Sequence, residues 1–254
     1  AFTVDTTNAA RTITLTDAVV GASDSDSVTV NAAATTANGV TVNAAVSAAN
    51  TVTLGITDVN AYTLGNTAGN RVTLGQVADT GTDGTADEAG ITVVNGTGND
   101  TITGSGSRDT ITLSSNGNNS VTGGAGNDTI TAGSGQDNID AGAGNDSLSF
   151  GAAVTNLAAT DTLAGGAGTD TLAVGAGNFA ASDAVLANVS GIDVLTVDTT
   201  NAARTITLTD AFVGSSDSDS VTVNAAAATG NGVTVNAAVS SANTVTLGIT
   251  DVNA

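Results

Sequence analysis

An acidic or amide side chain recurs about once in every nine residues along the middle of this chain. The series is Asp100, Asp109, Asn119, Asp128, Asp137, Asp146, Asp161 and Asp170. In the regular rows, residues 123–131, 132–140 and 141–149, the shared form is G-G-x-G-x-D-x-U-x, where U is aliphatic. Carboxylate and carbonyl oxygens are the ligands that a hard divalent cation prefers. The pattern therefore predicts cation binding, and Ca²⁺ is the expected ion.

The elements that position these side chains follow from the same nine-residue period. Glycine at the second and fourth places permits the positive φ of a tight turn, and x-U-x predicts a short strand. Two nonapeptides then form one coil of a parallel β-roll, which stacks Asp109 on Asp128, Asp128 on Asp146, and Asn119 on Asp137. Turn carbonyls are expected to complete the ligand sets, and the glycines that would supply them are Gly98, Gly126, Gly135 and Gly144.

The rows resemble the RTX (repeat-in-toxin) nonapeptide family of calcium-binding β-rolls. Residues 95–103, 123–149 and 165–173 carry the resemblance. Row 104–112 departs from it with glycines at places one and three, and row 114–122 has Asn119 where Asp is expected. The resemblance implies a secreted protein, exported by a type I system that reads a carboxy-terminal signal lying beyond Ala254.

Composition and charge exclude several classes of function. The chain has 24 acidic residues against four Arg, for a net charge of −20, and it has no Cys, His, Met, Trp, Pro or Lys. Without a basic surface, neither nucleic acid nor an anionic membrane is an expected partner. The usual nucleophile–base pairs cannot be built, so no enzyme activity is expected. The sequence has no long apolar run, so membrane insertion is not expected. Self-repulsion of so many carboxylates predicts a fold that depends on bound cations.

An internal repeat sets the domain organisation. Residues 3–61 recur as residues 196–254, at an offset of 193. The five differences are Val19 to Phe212, Ala22 to Ser215, Thr35 to Ala228, Ala37 to Gly230 and Ala48 to Ser241. Such near-identity indicates tandem duplication, although two similar caps around one domain are an alternative. The predicted regions are a degenerate strand region at 1–94, the RTX β-roll at 95–175, a connecting segment at 176–195, and the start of the next repeat at 196–254.

The degenerate region also predicts strands, because aliphatic residues alternate with Thr. The six segments are 12–15, 28–31, 40–43, 52–55, 62–65 and 72–75. Their near-regular spacing favours an all-β parallel solenoid that continues the β-roll, and an antiparallel sandwich is the alternative. Acidic loops at 23–27 and 79–88 could bind further Ca²⁺ or simply be solvated. The segment 178–193 could form a brief helix.

The predicted function is that of a calcium-dependent structural module. The chain is similar in style to bacterial surface-layer proteins and to large repetitive RTX adhesins, which implies self-association with neighbouring repeats at the bacterial cell surface. About ten coils per 193-residue unit would extend it on the order of 50 Å. The alternative is a binding surface, ice being one candidate, made of outward Thr-x-Thr pairs at 101–103, 110–112 and 129–131. Thr also simply suits exposed strand positions.

Overall fold

Short strands make up nearly all of the regular structure in this computed structural model. The structure describes residues 2–5, 11–16, 27–33, 40–45, 51–56, 60–64, 71–74, 89–94, 99–113, 117–150, 157–175, 186–198, 204–213, 216, 219–226 and 233–249. The strands of the first half are β1 (Phe2–Asp5), β2 (Arg11–Thr16), β3 (Ser27–Ala33), β4 (Val40–Ala45), β5 (Thr51–Ile56), β6 (Asn60–Leu64), β7 (Arg71–Leu74), β8 (Ala89–Val94), β9 (Thr101–Thr103), β10 (Arg108–Thr112) and β11 (Ser120–Ala125).

The strands of the second half are β12 (Thr129–Ala132), β13 (Asn138–Ala143), β14 (Ser147–Phe150), β15 (Thr162–Ala167), β16 (Thr171–Val174), β17 (Val189–Ser190), β18 (Val194–Asp198), β19 (Arg204–Thr209), β20 (Ser220–Ala226), β21 (Val233–Ala238) and β22 (Thr244–Ile249). Helix α1 (Asp210–Val213) has four residues. No helix in the described part of the chain is long and apolar enough to cross a membrane.

The chain winds as a parallel solenoid with two main walls. Wall A is a nine-stranded sheet that contains β1 to β17 in odd numbers, and wall B is an eleven-stranded sheet that contains β2 to β18 in even numbers, then β20 and β22. A third sheet pairs β19 with β21. All the pairings are parallel, for example β3 with β5 and β10 with β12. The predicted all-β parallel solenoid is confirmed, and the antiparallel sandwich alternative is wrong for the described strands.

The aliphatic residue of each x-U-x strand points into the space between the walls. On wall B, Ile111 pairs with Ile130, Ile130 with Leu148, and Leu148 with Leu172. On wall A the corresponding column is Ile102, Val121, Ile139 and Leu163. All of these side chains are buried, while the flanking residues alternate outward. A narrow core of one aliphatic layer per wall is enough here, because each coil buries its side chains against the coils before and after it.

The positive φ predicted for second- and fourth-place glycines is observed, although Gly124, Gly142 and Gly166 lie within strands β11, β13 and β15 and not in turns. Gly124, Gly142 and Gly166 in the second place have φ of 122°, 110° and 106°. Gly126 and Gly144 in the fourth place have φ of 100° and 136°. Gly142 and Gly166 also lie against the second-place glycine of the coil before, and a Cβ on Gly142 would stand 2.1 Å from the carbonyl oxygen of Gly124. Only glycine fits both the backbone conformation and this close approach.

The coils are longer and fewer than the sequence predicts. The segment that contains β1 recurs 193 residues later in β18, 17 strands further along. With two strands per coil, one unit is eight and a half coils of about 23 residues, extending about 40 Å at the usual strand separation. The prediction of ten coils was wrong because several coils contain longer connections between their strands. Asp137 and Asp161, for example, occupy equivalent places in successive coils but lie 24 residues apart. Of the brief helix predicted over 178–193, the described part starts with Leu186 in 3₁₀ conformation and continues into β17, and residues 178–185 lie outside the described residues.

Candidate metal centre

Sixth-place carboxylates stack along one corner of the solenoid, in a series here named the first acidic column. It contains Asp109, Asp128, Asp146, Asp170 and Asp193. The backbone N–H of each donates to a side-chain oxygen of the next, over 2.7 Å from Asp109 to Asp128 and from Asp128 to Asp146, 2.8 Å from Asp146 to Asp170, and 2.9 Å from Asp170 to Asp193. Successive coils are thus joined by carboxylates as well as by strand pairing.

The second acidic column, at the opposite corner, has the same construction. It contains Asp100, Asn119, Asp137 and Asp161. Each backbone N–H donates over 3.0 Å to Oδ1 of the next residue in the series. The two columns together contain all eight acidic or amide side chains that the nine-residue period selects, and they bring Asp109 onto Asp128, Asp128 onto Asp146, and Asn119 onto Asp137. Each column consists of residues one or more coils apart in sequence.

The regular rows leave carboxylate oxygens that suit a cation. Asp128 and Asp146 are 1% and 2% exposed. Oδ1 of each accepts a backbone N–H, while Oδ2 of each is buried with no hydrogen-bond partner in the part of the chain that the structure describes. A buried acceptor without a donor is unfavourable by about 1–3 kcal/mol, and more when it is charged. An oxygen-coordinated cation such as Ca²⁺ would satisfy these atoms, so the donor set fits the ion.

Where a row departs from the motif, hydrogen-bond donors of the chain itself contact the carboxylates of the acidic columns. In row 104–112 the backbone N–H of Ser105 donates to Oδ2 of Asp109 over 2.7 Å, and its hydroxyl lies 3.0 Å from the same oxygen. Asn119 uses its Nδ2 to donate to Oδ1 of Asp137 over 2.9 Å. Oδ2 of Asp161 accepts from the N–H of Ala158 over 2.8 Å. Serine and amide donors therefore satisfy the irregular turns, which lowers their need for a cation.

The glycines predicted to supply carbonyl ligands lie beside the columns. Gly126 and Gly144 are stacked, since a Cβ on Gly144 would stand 2.0 Å from the carbonyl oxygen of Gly126. Gly135 is stacked on Gly117 in the same way. Gly98 and the acidic loops at 23–26 and 79–88 lie outside the described residues. Within the described ranges no three acidic side chains converge on one point, so a ligand set here combines few carboxylates with backbone oxygens.

Burial gives the columns unusual proton affinities. The pKa of Asp128 is raised from 3.8 to about 8, chiefly by desolvation and further by the charges of Asp109 and Asp146, against the lowering effect of the Asp109 N–H. Desolvation also raises the pKa of Asp137, Asp146 and Asp161. A folded column of this kind therefore favours a bound positive charge, either protons or a divalent cation.

The raised pKa values predict that the metal-free chain becomes less stable as pH rises. Between 3.8 and about 8 the folded state binds more protons at Asp128 than the unfolded state does. The stabilisation that the Asp128 carboxyl contributes is fully present below pH 3.8 and is lost as pH rises through about 8. We expect urea midpoints of the calcium-stripped chain, followed by circular dichroism, to fall from pH 5 to pH 9. Midpoints that rise over this range would contradict the role given to the buried carboxylates.

Fifth-place side chains form a separate brace that the sequence analysis did not identify. Oδ1 of Asn127 accepts the N–H of Asn145 over 2.7 Å, and Oδ1 of Asn145 accepts that of Thr169 over 2.8 Å. Asn99 and Asn118 act similarly at the opposite corner. These side chains reach the following coil, whereas those of the acidic columns reach the preceding one. The recurrence of Asn immediately before Asp was the signal available in the sequence.

Replacing one of these asparagines should cost a single coil-to-coil hydrogen bond. We expect Asn145→Ala to lower the free energy of unfolding in calcium by about 1 kcal/mol. Gln136→Ala is the matched control, because exposed Gln136 takes part through its backbone N–H and its side chain is not the acceptor. Urea unfolding of both variants measures the difference, and equal stabilities would show that the brace contributes nothing.

Asp193 is a second residue that the sequence analysis missed. It ends the first acidic column by accepting the N–H of Asp170, and its own N–H donates to the carbonyl of Asp170 over 3.0 Å. No glycine pair precedes it, so the nonapeptide pattern does not select it. The signal was its position two residues before buried Leu195, the same spacing that links Asp128 to Ile130.

Comparison with protein families matches three stretches of the chain. Residues 96–115, 113–148 and 158–178 match the model of the RTX calcium-binding nonapeptide repeat (4 copies). The resemblance predicted from the sequence is confirmed over these residues. Searches of the curated proteins and of the solved structures each gave no match.

Proposed function

We propose that this chain, whose middle carries RTX repeats that bind Ca²⁺ at several sites, is a calcium-dependent structural module of a secreted bacterial cell-surface array. The array would be a surface layer, a fibre or the stalk of a large adhesin, and the module would act by associating with its neighbours and without catalysis. The observation that carries the proposal is the pair of acidic columns, because they make the joints between coils depend on positive charge.

The support comes from burial and charge. Asp128 and Asp146 are almost fully buried and stacked, and like charges so placed oppose folding. Bound Ca²⁺ supplies two positive charges and an oxygen-rich coordination shell at such a place. The residues of the chain provide the remaining structure. The acidic columns fix the spacing of the coils, the glycines allow successive coils to stack closely, and the aliphatic columns exclude water from the core.

An assembly experiment tests the structural role. The purified chain is placed in millimolar Ca²⁺ or in chelator, and its association is followed by light scattering and negative-stain electron microscopy. Ordered rods or sheets that form only with Ca²⁺ are the expected result. A chain that folds with Ca²⁺ but stays monomeric at all concentrations would count against self-association while leaving calcium binding intact.

A binding surface of hydroxyl groups is the second candidate, and one observation favours it. On wall B an outward column contains Thr110, Thr129, Ser147 and Thr171, in register from coil to coil. On wall A the equivalent columns are interrupted by Asn138 and Asp140. Within the RTX rows, wall B thus carries a continuous column of hydroxyl groups, with a spacing of about 4.8 Å along the axis.

Freezing hysteresis separates this candidate from the simpler account, in which Thr is present because it suits strands. If wall B binds ice, the calcium-loaded chain shows hysteresis that Thr129→Lys removes, because the long charged side chain interrupts the column. The matched control is Asn138→Lys on wall A, where the hydroxyl column is already interrupted, and it should leave hysteresis unchanged. Absence of hysteresis in the unmodified chain would eliminate ice as the ligand.

A further inference from the structure

The two copies of the repeated segment fold in the same way but lie on opposite walls. In the first copy Thr3 pairs with Asn31, and in the second copy the equivalent Thr196 pairs with Asn224. Likewise Thr29 pairs with Thr53 as Thr222 pairs with Thr246. The pairing register is therefore identical. Yet β1, β3 and β5 belong to wall A, whereas their equivalents β18, β20 and β22 belong to wall B.

The remaining strands of the second copy are also not on the wall that their first-copy equivalents occupy. Strands β2 and β4 of the first copy belong to wall B, and their equivalents β19 and β21 form the third sheet. Both copies keep the same register here too, since Arg11 pairs with Val40 and Arg204 with Val233. Buried Ile206 of β19 and Val221 of β20 belong to one core cluster, so the third sheet and wall B share a core.

The exchange has a simple arithmetic cause. Strands alternate between the walls, and 17 of them separate β1 from β18. An odd number of half-coils brings the chain to the other wall, so equivalent residues return to the starting wall only after two units. If the unit contained 16 or 18 strands, both copies would lie on the same wall.

We propose that each 193-residue step turns the module by half a revolution about the solenoid axis, so that equivalent strands of the repeated segment lie on both walls of the same chain. This extends the structural role proposed above. Successive copies alternate about every 40 Å, and copies on the same wall recur about every 80 Å. A second copy of this chain that docks on strands β18, β20 and β22 of wall B finds the equivalent strands β1, β3 and β5 on wall A. Such a module can have a neighbour on each side, as a laterally extended sheet requires.

The geometry of the second copy can be tested with disulfides, because the chain contains no cysteine. Thr196 is the Cα partner of Ala173 in β16 on wall B. Ala173→Cys with Thr196→Cys should close a disulfide, since neighbouring strand positions satisfy the Cα separation that the bond needs. The crossed pair, Ala164→Cys with Thr196→Cys, joins wall A to the same residue and should remain reduced.

The first copy is tested in the same way. Thr53 pairs with Thr73, and Thr73 pairs with Thr103 of the RTX region, all on wall A. Cysteine pairs at 53 and 73 and at 73 and 103 should close. The crossed pair, Thr53→Cys with Thr63→Cys, joins wall A to wall B and should not.

Two positive controls lie wholly within the RTX rows and separate failure of this inference from failure of the proposed function. They are Thr103→Cys with Thr122→Cys on wall A, and Thr112→Cys with Thr131→Cys on wall B. All pairs are oxidised in saturating Ca²⁺ and scored by mobility under non-reducing conditions. If the controls close but the pair at 173 and 196 stays open, or the pair at 164 and 196 closes instead, the half-revolution is wrong. If the controls themselves stay open, the calcium-bound solenoid is also wrong.

Discussion

Removal of calcium at pH 8 and low ionic strength is expected to abolish most of the strand signal of this chain in far-ultraviolet circular dichroism, and re-addition is expected to restore it. At this pH, close to the raised pKa of Asp128, the acidic columns have lost part of their protons and all of their cations, while the chain as a whole carries a net charge of −20. Because the ion binds the folded state, its binding free energy is part of the folding free energy. The measurement is a titration of the chelated chain with CaCl₂.

Magnesium provides the control for this experiment. Mg²⁺ has the same charge but demands a nearly ideal octahedral shell and retains its water, so MgCl₂ at equal ionic strength should restore little of the signal. Equal recovery with Mg²⁺ would show that charge screening alone folds the chain. An unchanged spectrum after chelation would show that the columns do not depend on a cation at pH 8.

Gly142→Ala, in strand β13, is expected to be strongly destabilising. At φ of 110° an alanine is strained, and its Cβ would stand 2.1 Å from the carbonyl oxygen of Gly124, so the two coils must separate. Separation weakens the pairing of β11 with β13 and the ion-binding corner beside it. We expect a loss on the order of 3 kcal/mol in the free energy of unfolding with calcium present, measured by urea denaturation.

The neighbouring exposed residue supplies the comparison. Ala143→Ser changes a side chain at the surface, one position away in the same strand, and should alter stability by less than about 0.5 kcal/mol. If Gly142→Ala is as stable as Ala143→Ser, then the close stacking of second-place glycines is not required for the fold.

The nine-residue period predicted most of the β-roll because one pattern specifies both the turns and the core. Glycine fixes the turn, and the aliphatic residue two places after Asp fixes which side chain is buried, as at Asp128 and Ile130. Alternation in the degenerate region predicted where the strands are. It could not decide between parallel and antiparallel pairing, since a half-buried strand has the same pattern in both.

Other features depended on contacts that a local pattern does not contain. Which neighbouring coil a carboxylate contacts depends on the backbone N–H that it accepts; Asp128, for example, accepts the N–H of Asp109 in the preceding coil. The fifth-place asparagines bind the opposite neighbour, and Asp193 joins its column without a glycine turn. The number of coils was overestimated because the extra connecting residues, such as those between Asp137 and Asp161, lengthen existing coils and do not form new ones.

The parallel pairing of successive coils also determines how the molecule would respond to a pulling force. Hydrogen bonds between parallel strands lie along the solenoid axis, so tension applied to the two ends loads only the outermost coil and peels it away before the next. Each coil of about 23 residues would release about 75 Å of extended chain in place of about 5 Å of folded length. Under load the module would therefore lengthen stepwise and act as an extensible tether that limits the force transmitted along it.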